Sequence, residues 1–210
     1  MTNEQDSAVS LAGEADALAA LIGSRICHDL VSPVGAISNG VELIGMGGCE
    51  ADGPEMQLVA DSVAHASSRL KFFRVAFGAS SAGQMIGRTE TELLLTDTYS
   101  GTRLKVNWGV TTDQPRATVK VAFLLLQCLE SALPRGGEIY VGEVDGNWRI
   151  EAYSDRVNAA PELWNLLDGR ALPETLKPAE VQFALAPRAA ARFGRRIEYN
   201  VDGAGMTIKF

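Results

Sequence analysis

Cysteine and histidine are scarce in this chain. Its three cysteines, Cys27, Cys49 and Cys128, are odd in number and never fall in a CxxC pair, which argues against a disulfide framework and against a zinc ribbon. The two histidines, His28 and His65, add no metal pattern. Cys27 and His28 are neighbours, and adjacent helical residues point about 100° apart, so they do not make a same-face ligand pair. An excess of basic residues is also missing. A net charge of -7 and a pI near 4.9 exclude a broad nucleic-acid surface, which needs clustered Lys and Arg to displace counterions. The longest apolar run, VAFLLLQCLESAL, carries Gln127 and Glu130 and is too short to span a bilayer, while MTNEQDSAVS lacks the basic and apolar regions of a signal peptide. The expectation is a chain with reduced thiols, in the cytoplasm, without membrane or nucleic-acid partners.

What is present is periodicity. From about Ser10 to Met46, Leu18, Ile22, Ile26, Leu30, Pro33, Ile37, Val41 and Ile44 recur three and four residues apart, one stripe of a long amphipathic helix. GMGGCEADGP breaks it, and Pro54 restarts a second helix whose Met56, Val59, Val63, Ala66, Leu70, Phe73 and Phe77 form a heptad seam. Two such helices make an antiparallel hairpin that cannot cover its own seam, so a symmetric homodimer closing a four-helix bundle is expected. The pattern changes after FGASSAGQMIG. ETELLLTDTY reads as a short helix, RLKVNWGV as a strand and 117–133 as a helix ending at PRGG. EIYVGEV and WRIEAYS form a hairpin around Asp145 and Gly146, helices follow over 161–168 and 179–193, and RRIEYNV and GMTIKF close with a second hairpin. The fold class is therefore α+β: a flexible N-terminus over 1–10, a helical hairpin over 11–85 and an α/β sandwich over 86–210.

His28 falls on the far side of the first helix from its apolar stripe, so it is expected to point to solvent. Ser24, Arg25, Val31, Ser32, Gly35 and Asn39 share that face and are mostly small or polar, which lets another protein's backbone approach the imidazole. A lone surface histidine is most often only solvated, but three features count against that here. Asp29 follows directly and can orient the imidazole or accept its proton. Pro33 withholds the N–H that would bond to the Asp29 carbonyl, predicting a kink or a freed carbonyl within a turn of His28. In an antiparallel hairpin, Arg69, Lys71 and Arg74 would stand level with His28 as a basic collar for a phosphoryl group.

HDLVSP resembles the phosphoacceptor box of sensor histidine kinases. SRICHDLVSPVGAISNGVEL, then RLKFFRVAFG, then ALPRGG resembles, in order and over nearly the whole chain, the ChpT-type histidine phosphotransferases of alphaproteobacteria. The resemblance implies a phosphorelay. His28 accepts a phosphoryl group from the phospho-aspartate of a hybrid-kinase receiver domain and passes it to response-regulator receivers, which supply the Mg2+. It also implies an ATPase-like second domain, and here the chain departs from a working kinase. Gln127 and Ser131 stand where magnesium-binding asparagines would fall, and neither SDRVNAAPE nor VQFALAPRAAARFG holds a glycine-rich box, so no nucleotide cofactor is expected. The competing readings are an ATP-dependent histidine kinase and a non-catalytic dimeric scaffold or inhibitor.

Overall fold

A computed structural model describes residues 2–46, 53–170, 173, 175–203 and 205–210, with side chains from Gly13 onward. Cys49 and most of the glycine-rich link around it lie outside the described residues. By contact the chain divides into two compact units, Met1–Ala66 with Thr175–Val181, and Ser67–Glu174 with Gln182–Phe210.

The first unit contains helix α1, Thr2–Met46, and the greater part of helix α2, Pro54–Ala76. α1 starts eight residues earlier than the periodicity suggested, and the segment expected to be flexible, 1–10, is helical from Thr2. The reason is local: no glycine or proline occurs before Gly13, and Glu4, Gln5 and Ala8 are good helix formers even without an apolar stripe. α1 runs through Pro33 as one helix. The chain folds back where Gly40, which is buried, meets Val59; a Cβ at Gly40 would run into the Val59 side chain. Within the single chain the expected seam is only partly covered. Of its members Leu18 and Pro33 are buried, whereas Val41, Met56 and Val63 remain exposed; Val34, Leu43, Met46 and Leu58, which lie off that seam, are exposed as well. Gly13–Met46 is long and apolar enough to cross a membrane by length and composition, and a helix that presents an apolar face to a bundle has the same signature.

The second unit begins inside α2, not near residue 85 as the change of pattern suggested. Phe72, Phe73, Val75 and Ala76 are all buried there, with Phe72 stacked on Phe123 at 4.6 Å and edge-on to Tyr99 at 6.1 Å. Burial of that order, about 25 cal/mol for each Å² of apolar surface, outweighs any punctuation by the glycines that follow. A short ribbon pairs β1, Met85–Ile86, with β3, Gln114–Pro115. Helix α3, Arg88–Tyr99, leads to β2, Leu104–Trp108, and helix α4, Arg116–Ala132, leads to β4, Gly137–Val144. β5, Asn147–Tyr153, helix α5, Pro161–Trp164, helix α6, Val181–Ala191, β6, Glu198–Asp202, and β7, Gly205–Lys209, complete the unit.

The five-stranded sheet has the order β2-β4-β5-β7-β6, with β2 parallel to β4 and every other pair antiparallel. The parallel pair requires a crossover, and α4 supplies it. Val119, Phe123, Leu124, Leu125, Leu126, Cys128 and Leu129 bury α4 around almost its whole circumference, and Ile139, Val141, Ile150, Ala152 and Ile208 bury one face of the sheet. Trp148 and Trp164 are core residues as well. Asp145 and Gly146, at φ 51° and 78°, make the tight β4–β5 turn that their sequence signalled.

Candidate functional site

The chemistry-bearing cluster of the first unit occupies about four turns of α1, from Arg25 to Asn39. At 100° per residue, Val31, Ser32, Gly35 and Asn39 lie within about 60° of His28 on the helix. All four are exposed, Val31 at 70%. The His28 side chain is 85% exposed, as its distance from the apolar stripe required. A Cβ added at Gly35 would meet nothing within 4 Å, so the floor beside the imidazole is open backbone.

Asp29 is only 11% exposed and lies between two partners. Its Oδ1 is 3.1 Å from His28 Nδ1, and its Oδ2 accepts from Arg25 Nε at 3.1 Å. An ionised carboxylate can only accept, so Nδ1 carries the proton in this arrangement and Nε2 keeps the lone pair, directed away from the helix. Arg25 was expected among the exposed contacts, and it is not there: its side chain is 11% exposed, and a second nitrogen donates to the carbonyl of Ala179 at 3.0 Å. The i,i+4 spacing from Arg25 to Asp29 was readable in the sequence. The tie to Ala179, 154 residues away, was not.

Arg69, Lys71 and Arg74 lie in the second unit. Arg69 is engaged by Glu130 at 3.3 Å and lies over the ring of Phe73, its carbon 5.4 Å from the centroid. Lys71 and Arg74 are exposed, and the Arg74 carbonyl accepts from Arg116 at 2.6 Å. Lys120 caps the same helix end, donating to Gly78 at 2.8 Å. Burial first, and then the neighbouring Arg192 and Arg116 guanidiniums, hold its ammonium below the usual lysine range. Of the proposed collar, then, one member is committed to an ion pair within its own unit.

In the second unit the positions that would hold a nucleotide are used for packing. Gln127 is 1% exposed, and neither end of its amide has a partner among the described residues. The Ser131 hydroxyl donates back to the Cys128 carbonyl at 2.7 Å. The loop after β5 is pinned internally, with Ser154 Oγ donating to the Gly136 carbonyl at 2.6 Å and the Asn158 N–H to the Ala132 carbonyl at 2.8 Å. A buried amide without partners costs free energy. Gln127→Leu is therefore expected to stabilise the protein by about 1–2 kcal/mol in thermal or urea unfolding. A lowered midpoint would mean that the amide is satisfied.

Comparison with known proteins bears on the whole chain. A family model described as the histidine phosphotransferase C-terminal domain matches residues 88–205. Protein phosphotransferase ChpT of Brucella abortus (strain 2308) is 36% identical over 171 residues, covering 79% of this chain and 81% of that protein. A solved structure of a bacterial phosphotransferase aligns with a TM-score of 0.76 at 31% identity, covering 93% of this chain and 96% of that one. The family match takes in more than half of the chain, and the two relatives follow it over most of its length in sequence and in fold. The chain belongs to the histidine phosphotransferase family, as a ChpT-type protein phosphotransferase of a phosphorelay.

Proposed function

We propose that His28 is the phosphoacceptor. It takes a phosphoryl group from the phospho-aspartate of a hybrid-kinase receiver domain and gives it to the aspartate of a response-regulator receiver. The observation that carries this reading is an imidazole 85% exposed whose Nδ1 is held by a nearly buried carboxylate. With Nδ1–H fixed on Asp29, the Nε2 lone pair attacks phosphorus in line. The N–P bond forms as the P–O bond to the aspartyl carboxylate breaks, and the electron pair leaves on that carboxylate. The Nδ1 proton stays on the imidazole, and Asp29 stabilises the positive charge that develops there. Charge on the phosphoryl oxygens is met by the receiver's own Mg2+ and cations. This chain brings no nucleotide and no metal, a reading supported by the missing glycine boxes and by the internal use of Gln127, Ser131 and the 154–158 loop.

The receiver docks on the α1 face formed by Val31, Ser32, Gly35 and Asn39, with Pro33 buried beneath it. Gly35→Trp is the test of that surface. A Cβ at position 35 meets nothing within 4 Å among the described residues, so folding is expected to hold, while transfer in either direction is expected to fall by at least about tenfold through lost encounter geometry. Normal relay through that variant counts strongly against the face.

A second copy of the chain covers the apolar residues left exposed on the first unit. Val34, Val41, Leu43, Met46, Met56, Leu58 and Val63 stand exposed on these two helices, and a four-helix bundle offers such residues a partner surface. The site of action is the cytoplasm, where reduced Cys27 and the partner receivers belong. The deciding experiment is incubation with a phosphorylated receiver. Acid-labile label on the wild type and none on His28→Ala supports the reading, and label surviving in that variant sinks it. Label from ATP in the isolated chain would instead favour a kinase.

A further inference from the structure

We propose that Arg25 is a positioning residue for phosphoryl transfer: anchored on the Ala179 carbonyl, it fixes the Asp29 carboxylate so that His28 holds Nδ1–H inward and presents Nε2 to the receiver. The inference rests on the reading of His28 as the phosphoacceptor and assigns how its reactive form is maintained.

An aspartate one residue after a histidine does not by itself orient the ring. The two side chains leave the helix about 100° apart, and on a solvated helix the carboxylate samples rotamers in which water, not Nδ1, is its partner. The structure removes that freedom in two steps. Oδ2 is taken by Arg25 Nε at 3.1 Å, which leaves Oδ1 facing Nδ1 at the same distance. The guanidinium is itself tied at a second point, donating to Ala179 at 3.0 Å. An i,i+4 ion pair alone is weak because both side chains must be ordered to make it. A guanidinium fastened at both ends loses that freedom once, on folding, and not at each encounter with a receiver.

The anchor is itself built. Ala179 lies in the Thr175–Val181 segment that belongs to the same unit as α1. It sits in a 3-10 turn, Pro178–Glu180, opened by a capping box in which the Lys177 N–H donates to Glu180 Oε2 at 3.0 Å. Three layers follow: the capped turn presents a carbonyl, the carbonyl holds Arg25, and Arg25 holds Asp29.

The test uses the full chain with 15N-labelled histidine, His65 being assigned by its own substitution. In the wild type the neutral His28 ring is expected as the Nδ1–H tautomer. In Arg25→Gln the neutral ring moves toward the Nε2–H form, and transfer from a phosphorylated receiver falls by about tenfold or more, the scale typical of lost support behind a reactive imidazole. Arg25→Lys restores a charge but not the two-point grip, and recovers only part of both signals. An unchanged tautomer in Arg25→Gln overturns the inference, and so does a slower transfer with the tautomer intact. The reading of His28 itself fails separately, by absence of label on the wild type.

Discussion

His28→Ala is expected to take up no acid-labile label from a phosphorylated receiver, a loss of at least about a thousandfold in the rate of transfer. No other side chain on that face can replace it. Ser24, Val31, Ser32, Gly35 and Asn39 are its exposed neighbours, and the hydroxyls among them belong to serines, which are weak nucleophiles without an activating base. Because the imidazole is 85% exposed, its removal leaves no hole in the packing and changes stability by no more than about 0.5 kcal/mol. The variant therefore separates chemistry from folding: far-UV circular dichroism and the melting temperature stay at wild-type values while transfer disappears. Binding of the unphosphorylated receiver, followed by calorimetry, is expected to survive, since the docking face is intact. A variant that neither binds nor transfers would indicate damage beyond the nucleophile, and one that still transfers would place the chemistry elsewhere.

The largest effect on stability is expected from Gly136→Ala. Gly136 has φ of 85°, a conformation that costs a residue with a Cβ about 1 kcal/mol or more. Space is the harder limit. The new methyl group would be driven into the carbonyl oxygen of Arg103, and that oxygen is the acceptor for the Gly137 N–H at 3.1 Å, the bond that begins the β2–β4 pairing. Gly136 also closes the end of α4 through its N–H to Leu133 at 2.9 Å and receives the Ser154 hydroxyl on its carbonyl at 2.6 Å. One methyl thus disturbs the exit of the helix, the register of the parallel β2–β4 pair and the anchoring of the loop after β5. A cost of about 3–4 kcal/mol is expected, lowering the melting temperature by roughly 10–20 °C for a unit of this size. A melting temperature within about 2 °C of wild type would show that the turn relaxes at little cost.

Much of this molecule was legible in the sequence because its signals were redundant. α4 combines an apolar run with a helical stop at PRGG, and the β4–β5 hairpin combines strict alternation with an Asp-Gly turn, so each element was announced twice. The exposure of His28 followed from counting residues around α1. Three things were not legible, each for a physical reason. The N-terminal start of α1 is set by helix propensity alone, which leaves no apolar stripe to count. The division inside α2 depends on Phe72 finding Phe123 and Tyr99, and a heptad count drew attention to Phe73 while saying nothing of its neighbour. The tie from Arg25 to Ala179 joins residues 154 positions apart through a backbone carbonyl, a group every residue carries and no sequence pattern can mark.

The approach of the two long helices at Gly40 has a consequence for sequence drift. The space a side chain at position 40 would need is already filled by a methyl group of Val59. Position 40 can therefore change only in step with position 59: an alanine at 40 requires a smaller partner at 59. Over divergence, this crossing point should behave as a single two-residue character. It would be inherited as a matched pair even where the solvent faces of both helices are rewritten.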